Sequence, residues 1–92
     1  MKTIWKFPLD AKAINEIEMP AETEILTVQT QNETACMWAL VDVTSFPKAK
    51  KEKRRFATFG TGHTIPENCK KENYIGSFQL QGGALIFHVF EI

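Results

Sequence analysis

Ninety-two residues suffice for one domain, here 1–92, and fall short of two. A hydrophobic content of 43%, with seven Phe and two Trp, excludes a disordered chain. Eleven basic and eleven acidic side chains cancel, so nucleic acid is not an expected partner unless the attraction is local.

The dominant spacing of apolar residues is two. Thr3, Trp5 and Phe7 alternate with Ile4 and Lys6, which predicts a first strand ended by Pro8. Asn15–Met19 alternates and stops at Pro20, a short strand expected to pair back on the first, with Glu16 and Glu18 facing solvent at a sheet edge. A β-rich run, Ile25–Gln31, leads into a tight turn at Gln31–Thr34. Cys36–Val43 is almost wholly apolar, as a central strand covered on both faces would be. A lysine-rich loop, 44–53, precedes an alternating strand, Arg55–Phe59, with Phe56 and Thr58 on one face and Ala57 and Phe59 on the other. Gly60–Pro66 reads as a structured loop, and Glu67–Asn73 as one helical turn. Tyr74–Gln81 and Ala84–Glu91 flank Gly82-Gly83, a linker suited to a primed two-residue hairpin turn. The fold class is therefore all-β: a compact antiparallel barrel or sandwich of about seven short strands, with little or no helix.

Two features bear on association. The last strand is apolar on both faces, which predicts burial from two sides and a homo-oligomer. Residues 1–46 hold three Lys against seven acids, and residues 47–92 hold eight basic residues against four. A fold that interleaves the halves would erase this asymmetry; otherwise it marks an anion site or head-to-tail contact.

Among candidate binding residues, Gly60, Thr61, Gly62 and His63 are the most site-like. Two glycines let backbone amides approach a ligand, and a hydroxyl and an imidazole can meet phosphate or ribose. Neither a P-loop nor a Rossmann fingerprint is present. Arg54 and Arg55 open the preceding strand and could supply bidentate phosphate contacts, and Trp38 could stack on a base. Six positive charges between Lys48 and Arg55, with Phe46 and Phe56 nearby, suit either a phosphate grip or a solvated loop. His88 sits in an apolar strand, where a hydrogen-bonded structural role is expected. Cys36, His63, Cys69 and His88 match no metal-ligand spacing, no catalytic triad can be read from residue order, and no cofactor is expected. The start of the chain shows no signal-peptide pattern, and no apolar run in the sequence is long enough to span a bilayer. Both predict a cytoplasmic protein with reduced thiols and no membrane partner.

Six segments carry a resemblance that runs nearly end to end: Trp5–Pro8, Ile25–Gln29, Trp38–Asp42, Phe59–His63, Tyr74–Gln79 and Gly82–Glu91. In order and spacing they resemble a family of small phage and prophage proteins of unknown function. Thr64 departs from that pattern, which has Pro after the His, and the lysine-rich loop is longer. The resemblance implies a viral setting and a counter-defence role without catalytic residues. Joined to the loop and the arginines, it gives the expected function. That expectation is a non-enzymatic binder that sequesters a small anionic, nucleotide-like immune signal in the host cell. The alternatives are an inhibitor that contacts a host defence protein directly, and a plain accessory phage protein.

Overall fold

The computed structural model describes residues 1–44 and 50–92. The chain forms β1 (Lys2–Pro8), β2 (Ile14–Pro20), β3 (Glu24–Gln31), β4 (Thr34–Asp42), β5 (Lys51–Gly60), β6 (Tyr74–Leu80) and β7 (Leu85–Glu91). Two short 3-10 turns, Lys71–Asn73 and Gln81–Gly83, are its helical content among the described residues. All pairings are antiparallel, in one sheet of order β1-β4-β3 and another of order β2-β5-β7-β6. Among the described residues no ladder joins the sheets, so of the two architectures expected the sandwich is the one formed.

Period two decides what each sheet buries. Val28, Met37 and Ala35 face inward from the first sheet, and Met19, Phe56, Val89 and Phe78 from the second, with Leu9 closing one end. Phe56, Met37 and Val89 are fully buried. Along one side β3 and β6 approach without pairing. The Thr30 hydroxyl donates to the Gln79 carbonyl, and the Gln81 N–H donates to Glu33 Oε1 at 2.6 Å.

The expected strands all form, but three connections differ from expectation. β2 does not pair back on β1; it crosses to the other sheet and lines up with β5, placing Glu16 opposite Arg55 and Glu18 opposite Lys53. The crossing is fixed by Asn15, 3% exposed, whose side chain bonds both backbone groups of Asp10. This pairing also sets acids of the first half against cations of the second, with Lys53 3.8 Å from Glu16, so at this edge the halves interleave. The β6–β7 connection is no two-residue turn: Leu80 pairs with Leu85, and Gln81, Gly82 and Gly83 all take positive φ. Third, β5 begins at Lys51, so Lys51 and Lys53 belong to a strand. Phe46, Pro47 and Lys48 lie outside the described residues. No helix among the described residues is long and apolar enough to cross a membrane.

Candidate functional site

A cleft of about 550 Å³ opens between the sheets at the end where β5 and β6 finish and β7 begins. Its floor is apolar: Leu9, Ala35, Leu80, and the rings of Phe78 and Phe87, stacked at 5.4 Å and 29°. These side chains meet because Phe78 and Phe87 are directly opposed on β6 and β7, on the inward face. The rim is polar and comes from the β1–β2 connection (Asp10, Lys12), the β3–β4 turn (Glu33) and the loop after β5 (His63). Asp10 and Lys12 lie 3.9 Å apart and are exposed, so that pair is worth little by itself. Glu33 adopts φ +61 at the turn, and its carboxylate is held by the Gln81 N–H.

The structure separates the predicted site residues. Gly60 and His63 reach the cleft. His63 donates its backbone N–H to the Gly60 carbonyl at 3.1 Å, and its ring lies over Gly60, where a β-carbon would come within 3.1 Å of Cε1. The glycine thus lets the imidazole lie close to the end of the strand. Thr61 turns to the outer face of the second sheet, where its hydroxyl is 2.8 Å from His88 Nε2. Gly62 takes φ +91 with open space around it, and makes the bend. Arg54 faces inward, six residues along β5 from Gly60, roughly 20 Å of extended chain. There Nε and Nη2 bond Glu91 at 2.6 and 2.7 Å, and Nη1 bonds the Thr23 carbonyl. Hydrogen bonding to Glu91 raises its pKa further above the ordinary arginine range, against burial, which lowers it. Arg55, its neighbour in a strand, necessarily points the other way and is exposed. Trp38 lies on the outward face of the first sheet, between Lys6 and Thr27. The expected convergence of the glycine loop with both arginines and Trp38 therefore does not occur.

Hydroxyl, imidazole and hydroxyl also line up on the outer face: Thr61 on Nε2 of His88 and Tyr74 on Nδ1, the latter at 3.0 Å. A nucleophile–base distance is present, but the third member is a phenol, which brings no anion to steady an imidazolium. No group of three metal-ligating side chains occurs among the described residues.

A family model described as Domain of unknown function (DUF7352) matches residues 1–92. The chain belongs to the DUF7352 family. The expected membership of a family of unknown function, running end to end, is thereby found. No curated protein and no solved structure matches this DUF7352 chain. Leu9, Lys12, Glu33, Phe78, Leu80 and Phe87 were not singled out from sequence, because strand order and not local pattern brings them together.

Proposed function

We propose that this domain is a non-enzymatic capture protein that holds one small, nucleoside-sized ligand in the cleft between its sheets. The supporting observation is the cleft itself: its volume lies within the range of about 300–1,000 Å³ usual for small-molecule sites, with an apolar floor and few polar groups at the mouth. A planar ring packs on Phe78 and Phe87, and sugar-like hydroxyls meet the rim. Lys12 and His63 suit a single anionic group, while Asp10 and Glu33 repel a polyphosphate. With Arg54 committed to Glu91, the nucleotide-like ligand expected from sequence narrows to a nucleoside or monoanion. In the phage or prophage setting implied by the resemblance, such capture would withdraw an immune signal from the host cytoplasm.

Thermal unfolding against nucleosides, nucleoside monophosphates, cyclic nucleotides and ADP-ribose tests this reading. A ligand at a hundredfold its Kd adds about 2.7 kcal/mol, a Tm rise on the order of 10 °C for a domain of this size. Ala11→Trp, which fills the cleft from its exposed rim, should abolish the rise while the circular dichroism stays native. A folded protein that gives no shift with any member of the panel overturns the proposal.

A further inference from the structure

The face of the β2-β5-β7-β6 sheet turned away from the core is a second concentration of chemistry. Register arranges it in rows: Ile14, Ala57, Phe90 and Tyr74 lie abreast across the four strands, with Phe59, His88 and Ser77 in the next row. Tyr74 and Phe59 meet the Phe90 ring edge-on, at 5.1 and 6.1 Å, and the Tyr74 and His88 rings are 6.2 Å apart. Hydroxyls on both nitrogens fix the His88 ring. These rings come from three adjacent strands: Tyr74 is 44% exposed, while Phe59, His88 and Phe90 are half-buried, and Ile86, two residues along β7 from His88, is 41% exposed. Along β5 the same face continues through Arg55, Lys53 and Lys51. Among the described residues the Arg55 guanidinium has no side-chain partner. Glu16 and Glu18 border it on β2.

We infer that this face binds a short single-stranded stretch of nucleic acid, with bases stacked on Tyr74, Phe59 and Phe90 and phosphates met by Arg55, Lys53 and Lys51. Bases present apolar faces that suit exposed rings on a sheet, and their edges can bond to polar side chains such as Ser77 and Gln79 beside them. Cations outnumber carboxylates on the strip leading to the rings, three to two, which is the local attraction that a chain of zero net charge still permits. A second copy or a protein partner suits the face less well. Interface centres are poor in charge, whereas Glu16 and Arg55 form the row beside Ala57.

Fluorescence anisotropy with labelled homopolymers of U, A, dT and dC across a salt series, alongside sedimentation velocity, is the test. Wild-type protein should bind, with log Kd against log salt no steeper than about 2, because at most three cations release counterions at about 0.7 each on a single strand. Tyr74→Ala should weaken binding roughly 5- to 100-fold. Arg55→Gln, on an exposed side chain with no side-chain partner among the described residues, should lower the slope by about 0.7. Three results each overturn the inference: no binding up to about 100 µM, the weak end of non-specific association; affinity unchanged in both variants; or a wild-type dimer that Tyr74→Ala disperses and that binds no homopolymer, which assigns the face to a second copy.

Discussion

Buried at the start of β2, Asn15 accepts the Asp10 N–H through Oδ1 at 2.9 Å and donates from Nδ2 to the Asp10 carbonyl at 3.2 Å. One side chain thereby satisfies two backbone groups in the stretch that carries the chain from one sheet to the other and forms part of the cleft mouth. Replacing it with Ala leaves both groups without their partner, at a cost of about 2–3 kcal/mol. Asn15→Asp keeps the acceptor but turns a buried carboxylate oxygen toward the Asp10 carbonyl, so at neutral pH its urea midpoint should also lie below that of the wild type. Equal stability of all three would show that water replaces the amide at no cost. The arginines give a different lesson at this scale. The alternation that marks Arg55–Phe59 as a strand already sends Arg54 and Arg55 to opposite faces. Their separation was legible in the sequence, and the expectation of a shared pocket set that rule aside. That Arg54 would be taken by Glu91 was not legible, since the two lie 37 residues apart and meet only through the β5–β7 ladder.

Among the elements, the strands were read closely because alternation, proline stops and turn residues all act within a few positions. Pro8 and Pro20 end β1 and β2, and Asn32 and Glu33, both at positive φ, form the tight turn expected between β3 and β4. Pairing was harder to read. Nothing within Ile14–Pro20 distinguishes β1 from β5 as its neighbour, and the cleft follows from that choice. The β6–β7 connection shows how a correct residue can imply the wrong turn. Gly82 and Gly83 do supply positive φ, but Gln81 joins them, and its N–H reaches across to Glu33. At φ +98, and with a β-carbon placed 3.1 Å from Gln79 Oε1, Gly83→Ala should cost about 1–2 kcal/mol. Gly82→Asn, at φ +65 in open space, should cost well under 1 kcal/mol. Chemical denaturation of the two variants checks the contrast, and a reversed order would refute this reading of the turn.

For the molecule as a whole, the two sheets share a core without sharing a ladder. Phe56 and Val89 from one pack with Met37 and Val28 from the other, so neither sheet keeps its apolar face covered alone. A single cooperative transition follows. It is readily checked, because Trp5 and Trp38 both lie in the three-stranded sheet. Tryptophan emission reports that sheet, while far-ultraviolet circular dichroism reports both. The two curves should coincide in urea, and an earlier loss of emission would mean that the smaller sheet unfolds first.

Strand order leaves β1 and β2 as outer edges with no further strand bonded to them among the described residues, and they carry opposite charge: Lys2 and Lys6 on one, Glu16 and Glu18 on the other. Two copies meeting through the same edge would set like charge against like. Only the unlike edges attract, and that contact is head-to-tail, so any assembly built this way would be a ring or an open filament and not a two-fold dimer, weakened by added salt and limited by the prolines ending each edge.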